Sequence, residues 1–280
     1  MQITVLCENT VGTPFPWGLI GEHGQSFLIE GRETTLYDTG QGIGLINNMA
    51  LLGKNPKTVD RVVLSHGHYD HTGGLLKFLE NREAPVPVFV HREAFQNKVA
   101  MISPLNSPMF RSIGFQHTQG EYEEKGADFR FIRSFSRISP EISAISDINR
   151  PKEWRSSDTR LKTKEGDTII ADPFNDDLTL LVETDAGPVV LLGCAHAGVV
   201  EILNDLSEKS GYKTFHAVIG GTHLGPVSRA YVEQTIDVLK HYQVNIVGTN
   251  HCTGFHASAL IKSRLEKEFV MASVGSVFHF

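Results

Sequence analysis

The sequence predicts an α/β (α+β) fold, and three observations carry that prediction. Short runs rich in Val, Ile and Leu alternate with segments of helical spacing in the first and last thirds of the chain. Four of those apolar runs end at a histidine beside glycine, cysteine or threonine: "VVLSHGHYDH", "VVLLGCAH", "AVIGGTHL" and "NIVGTNHC". Strand ends along one rim of a sheet are where α/β folds build their sites. Finally, 280 residues with 40% hydrophobic and 21% charged content suffice for the core of a single α/β unit.

Taken in order, Gln2–Cys7 reads as a short strand. "QSFLIE", the turn "GRE" and "TTLYDTG" read as a hairpin ending at Asp38. "GIGLINNMALLG" has helical spacing and a glycine stop at Gly53. "VDRVVLS" is a strand that runs into the first histidine cluster, followed by the helix "TGGLLKFLENR" and the strand "VPVFVH". From about 92 to 177, Pro, Ser and polar residues interrupt the periodicity. "ADFRFIRSFSRISPEISAI" holds one or two strands there, and recurrent phenylalanines argue against disorder. We read this stretch as an elaboration, a lid, on a single domain spanning 1–280. The last third returns to regular patterning. "LTLLVETDAGPVVLLGCAH" is two strands about an Asp-Ala-Gly turn, and "GVVEILNDLSEKSG" is a helix with a glycine stop. A strand "FHAVIGG", a helix capped by Ser228, a strand "VNIVGTN", the helix "FHASALIKSRLEKEF" and the closing "GSVFHF" follow.

Bulk properties exclude several roles. The net charge is −6 with no basic tract, so neither nucleic acid nor an anionic membrane is an expected partner. Cys7, Cys194 and Cys252 do not form a disulfide framework, which points to a reducing, cytoplasmic setting. The N-terminus lacks a basic region followed by an apolar stretch, so no signal peptide is expected. No apolar run approaches the ~20 residues of a membrane helix. A small molecule is the expected partner.

The chemistry concentrates in "LSHGHYDHTGG". His66 and His68 stand two apart on extended chain, so both rings can face one side. Asp70 and His71 follow where the chain turns into a helix. One loop could thus serve two metal ions, His66 and His68 the first, Asp70 and His71 the second. His196, His223 and His251 at comparable strand ends supply further ligands. Such N/O donors suit zinc, with manganese or iron as alternatives. Water between two such ions loses its proton near neutral pH and becomes a nucleophile. His223 could bind metal, hydrogen-bond substrate, or merely cap a loop. Cys252 reads as a core thiol, and His23, His91, His117, His216, His241, His256 and His279 show no ligand spacing.

"SHGHYDHTGG" resembles the His-x-His-x-Asp-His signature of the metallo-β-lactamase-fold superfamily, and "LYDTG", "GCAHAG" and "NHCTG" resemble its other motifs. The combination with "EHGQSFLIE", "IGGTHL" and "VFHF" is similar to the branch of 7,8-dihydropterin-6-yl-methyl-4-(β-D-ribofuranosyl)aminobenzene-5′-phosphate synthase-like proteins. The resemblance implies a four-layer αββα sandwich with two divalent metal ions on one rim. It implies His66 and His68 on the first ion, Asp70 and His71 on the second, His251 as the C-terminal metal histidine, and Asp38 orienting the metal loop. The chain departs from the pattern in two places. "FNDDLTLL" lacks the histidine that precedes the hairpin, and Cys194 falls where a bridging aspartate is usual. His196 is therefore expected to complete the first site, with Cys194 or water alone joining the ions.

The expected activity is metal-dependent hydrolysis of a phosphoester, phosphodiester or related pterin or ribose-phosphate substrate, with Asp70 and His223 as catalytic residues. A synthase acting on a dihydropterin adduct is the alternative the branch name implies. A redox di-iron role is disfavoured, because His68 stands where that chemistry uses glutamate. A non-catalytic metal- or ligand-binding module stays open because the bridging aspartate is missing.

Overall fold

The computed structural model describes residues 1–102 and 109–280. Two seven-stranded sheets lie face to face between two layers of helices. In strand order, the first sheet is Val277–His279, Gln2–Cys7, Ser26–Glu30, Thr34–Tyr37, Arg61–Val63, Val86–Val90 and Ala127–Phe131. The second is Phe269–Met271, Ile246–Asn250, Ala217–Gly221, Val189–Leu192, Thr179–Val182, Ile142–Ile145 and Phe135–Arg137.

The four layers follow from apolar runs read with a period of two. In "VVLL", Val189 and Leu191 enter the core shared by both sheets, while Val190 and Leu192 face the helices behind. Val63 likewise turns inward, and Val62 and Leu64 pack under the opposite helices. Strands covered on both faces need such continuous apolar runs. The helices Val199–Ser210, Arg229–His241 and Phe255–Arg264 cover the second sheet with Ile202, Leu206, Ile236, Leu239 and Ile261. Leu45–Leu51 and Leu75–Glu80 cover the first with Leu45, Met49, Leu75 and Phe78. Burying one such side chain contributes about 1.5–3 kcal/mol. A hydrogen bond contributes about 1 kcal/mol net, so packing holds the layers and polar contacts set their register. Ser228 caps its helix by accepting the Tyr231 N–H at 3.3 Å, and Gly211 ends the preceding helix at φ 83°.

The topology aligns the strand ends. Val189–Leu192, Ala217–Gly221, Ile246–Asn250 and Phe269–Met271 are parallel neighbours, with Leu192 opposite Gly220 and Gly220 opposite Thr249. Cys194, His223 and His251 therefore leave the sheet at the same rim. Hydrogen bonds join the two sheets there. Tyr37 Oη donates to the Leu178 carbonyl at 2.6 Å, and Leu178 N–H donates to the Ser65 carbonyl at 2.7 Å. Buried Gln25 donates to the Leu192 carbonyl at 2.9 Å and accepts the Gly221 N–H at 3.0 Å.

The stretch read as one elaboration divides in two. Ala127–Phe131 completes the first sheet, where Phe129 and Phe131 cluster with Phe95, Phe115 and Tyr122, and Phe135–Arg137 and Ile142–Ile145 complete the second, where Ile145 and Phe135 join the core under its helices. Asn97–Ile102, Met109–Ser112, Leu161–Glu165 and Thr168–Ala171 form a separate antiparallel sheet. The part of the elaboration at 103–108 lies outside the described residues. Among the described residues no helix is long and apolar enough to cross a membrane.

Candidate metal centre

The loop after Arg61–Val63 carries the first donors, and a carboxylate from the neighbouring strand holds it. Asp38, at φ 60°, accepts the Ser65 N–H and the Ser65 hydroxyl, each at 2.7 Å. Its Oδ2 lies 2.7 Å from Nδ1 of fully buried His71. Nδ1 is thereby fixed as the donor, and Nε2 is turned out, 3.1 Å from Cys194 Sγ. Burial opposes a charge on His71, yet Asp38 lifts its pKa to about 9. Gly67 has no room for a side chain, since a Cβ would collide with the Ala94 carbonyl.

His66 Nε2 and His68 Nδ1 converge to 3.0 Å. With a ring nitrogen of His196, their donor atoms lie within 4.8 Å of one another. Phe174 stacks on the His196 ring at 4.4 Å and 9° and fixes its plane. Burial drives His66 and His196 well below the ordinary histidine range and His68 down to about 4. All three are therefore neutral imidazoles with lone pairs available. His68 Nε2 and both nitrogens of His196 are buried without a hydrogen-bond partner. An unsatisfied buried polar atom costs about 1–3 kcal/mol, and a cation accepting those lone pairs removes that penalty. This donor set fits a divalent metal.

A second set surrounds Asp70. Its Oδ2 lies 3.2 Å from both His23 Nε2 and His251 Nε2. Burial opposes ionisation of Asp70, but His23 and His251 hold its carboxyl well below the usual range. His251, at φ 44°, is anchored through its backbone N–H to Glu8 at 2.8 Å, and Asn9 Oδ1 lies 3.0 Å from its Nδ1. In the sequence His23 has no ligand spacing and reads as structural or surface. Its partners are 47 and 228 positions away (70 − 23 and 251 − 23). The one local signal is a histidine followed by glycine just ahead of the strand Ser26–Glu30.

His223 stands beside these groups without closing either set. Its ring centroid is 4.3 Å from that of His196, and Asp158 Oδ2 is 3.6 Å from its Nε2. Burial opposes charge on His223, while Asp158 and Cys252 raise its pKa to about 9. Asp158 is itself clamped by Arg160, at 2.8 and 2.6 Å. Cys252 is only half-buried and lines the cavity, so it is not the core thiol that the sequence suggested. The cavity, about 310 Å³, is walled by His23, Asp70, His196, His223, Cys194 and Cys252, together with Asp158 and Arg160.

Residues 19–259 match the profile of the metallo-beta-lactamase superfamily. The chain belongs to that superfamily. It is 29% identical over 291 residues to the 7,8-dihydropterin-6-methyl-4-(beta-D-ribofuranosyl)-aminobenzene-5'-phosphate synthase of Methanocaldococcus jannaschii, covering 100% of this chain and 97% of that protein. An uncharacterized protein of the same organism is 32% identical, covering 99% of both chains. The crystal structure of Tm1679, described as a metal-dependent hydrolase of the beta-lactamase superfamily, superposes with a TM-score of 0.85 at 27% identity, covering 100% of this chain and 99% of that one.

Against the metallo-β-lactamase pattern, "FNDD" supplies braces in place of a histidine. Asp176 accepts the Gly67 N–H at 3.0 Å and so holds the His66–His68 loop. Asp177 accepts the Ala197 N–H at 2.7 Å beside His196. Lys98, from the separate antiparallel sheet, reaches Asp176 at 2.9 Å and Asp172 at 3.0 Å, all three buried.

Proposed function

We propose that this metallo-β-lactamase-fold protein is a metal-dependent hydrolase acting on a small phosphoester or phosphodiester, a pterin or ribose-phosphate compound being one such substrate. The observation that carries this is the convergence of the buried, neutral imidazoles of His66, His68 and His196, with His68 Nε2 and both His196 nitrogens lacking a hydrogen-bond partner, where His68 and His196 share one cavity with the Asp70 carboxylate. His66, His68 and His196 would hold one divalent ion, zinc by donor type. Asp70, His71, His251 and His23 would surround the second, with Cys194 between. When bound, the ions supply Lewis acidity and lower the pKa of water.

The protein's own residues do the rest. Asp38 fixes the His71 tautomer. His23 and His251 keep Asp70 ionised, so it can hold attacking water in hydrogen-bond reach. Asp158, Arg160 and Leu161 wall the cavity, and we assign this segment the lid role that sets substrate shape. Arg155 and Trp154 line an adjoining cavity of about 330 Å³ that shares His196 and His223, where a cation and an aromatic face suit an anionic, ring-bearing substrate.

The test is elemental analysis followed by hydrolysis of bis-p-nitrophenyl phosphate with and without chelator. Bound metal with chelator-sensitive turnover supports the proposal. Bound metal without turnover of phosphodiesters, esters or lactones leaves a binding module. The full-length similarity to a synthase supports a second reading, in which the same centre joins two substrates. Formation of an adduct from a dihydropterin and a ribofuranosylaminobenzene phosphate would favour it.

A further inference from the structure

Two thiols and one imidazole at the cavity wall have no role in the dinuclear reading beyond Cys194 as a bridge. We propose that Cys194, Cys252 and His223 form an additional site for a thiophilic divalent ion, zinc by class, sharing Cys194 with the imidazole–carboxylate centre. The proposal deepens the metal-centre reading and rests on it only for that shared thiolate.

Each of the three residues offers a donor atom, and those atoms lie within 4.8 Å of one another. Parallel register delivers them from three adjacent strand ends, those of Val189–Leu192, Ala217–Gly221 and Ile246–Asn250. Gly221 leaves the space between them. A Cβ there would lie 2.6 Å from the Gly193 carbonyl oxygen and 2.7 Å from Cys252 Sγ, so any side chain would have to displace the Cys252 sulfur. His223 adopts φ 48°, a left-handed conformation that costs a non-glycine residue free energy, and from it the His223 N–H donates to Cys252 Sγ at 3.2 Å. That contact favours a thiolate.

Two further features point to a ligand. Both ring nitrogens of His223 are buried without a hydrogen-bond partner. The Asp158 carboxylate stands 3.6 Å from Nε2, where metal-binding histidines commonly carry an acidic neighbour. The S₂N donor set selects a softer ion than the all-nitrogen set of His66, His68 and His196. All three residues line the cavity, so three protein ligands leave a coordination position facing substrate.

Cobalt(II) serves as the probe, titrated into the full-length protein after metal removal by chelator. The readouts are cobalt bound per chain and the near-ultraviolet sulfur-to-cobalt charge-transfer band. Cys252→Ser is expected to lower the band by about half, two thiolates becoming one, and to bind one cobalt fewer. His223→Ala is expected to lose the same equivalent. His66→Ala with His196→Ala should lower the count while keeping the band. Circular dichroism reports folding of each variant. As a measurement on unaltered protein, zinc should slow iodoacetamide labelling of Cys252 by about tenfold or more, since the free thiolate is the reactive form. An unchanged band and count in Cys252→Ser, or equal labelling with and without zinc, overturns the additional site. Cobalt bound by wild type with no thiolate band overturns it while leaving the imidazole centre standing. No cobalt bound at all overturns both.

Discussion

The carboxylate of Asp38 touches three groups at once, the Ser65 N–H, the Ser65 hydroxyl and the His71 ring, and so couples the shape of a loop to the tautomer of one donor. Asp38→Asn keeps the size but presents an amide where His71 needs an acceptor. It should weaken metal affinity by about 10- to 100-fold, read by competition with a chromophoric chelator; an unchanged affinity would separate Asp38 from the site. His23→Ala should weaken only the second equivalent, by about tenfold, leaving the first intact in the same titration. Asp177 gives a pH signature. Burial raises its pKa to about 7 from an ordinary 3.8. Between those values the folded protein holds a proton that the unfolded chain has released, so stability falls as pH rises, by on the order of 4 kcal/mol across the window. In metal-free protein, Asp177→Asn should remove that slope, so its stability advantage in urea grows from pH 4.5 to pH 7 and then levels. A constant gap would mean that Asp177 ionises freely. His66, His68, Asp70 and His71 were legible because donors of one loop fall within one sequence window. His23 was not, because only the pairing of distant strands brings it to Asp70.

At the level of strands and helices, period-two and helical spacing set most of the main elements, and the histidines at apolar run ends marked the rim. The stretch 92–177 was harder. Its strands are short: Ala127–Phe131 alternates apolar and polar residues over only five positions, so the pattern marks a strand without showing which sheet it joins. The four-stranded sheet that carries Lys98 had no such signature, since strand Thr168–Ala171 is exposed at all four positions. Its tie to the centre is electrostatic. Lys98→Met would leave Asp172 and Asp176 facing each other without a cation. Removing one member of a buried ion cluster costs about 3–5 kcal/mol, so this variant should lose that much in urea unfolding and shift the Gly67 loop. Lys98→Met with Asp172→Asn should recover part of the loss. If the single variant is as stable as wild type, the cluster is not what joins the added sheet to the metal loop.

Across the whole molecule, donors come from both sheets: His66, His68, Asp70 and His71 leave the first, and Cys194, His196 and His251 leave the second. Bound ions should therefore stabilise the closed sandwich. At a hundredfold excess over Kd, ligand linkage contributes about 2.7 kcal/mol, or a Tm rise of about 5 °C at this chain length. Differential scanning calorimetry with and without chelator measures it, and coincident transitions would refute the shared centre. Gln25 makes the dependence sharper, since its one amide spans Leu192 and Gly221 across the sheet interface. A cut between the two halves of the chain would hand each fragment an incomplete claw. Neither piece alone should retain zinc with the affinity of the intact molecule, whereas a mixture would regain it on reassembly, so ion uptake becomes a direct gauge of when the two halves have met during refolding.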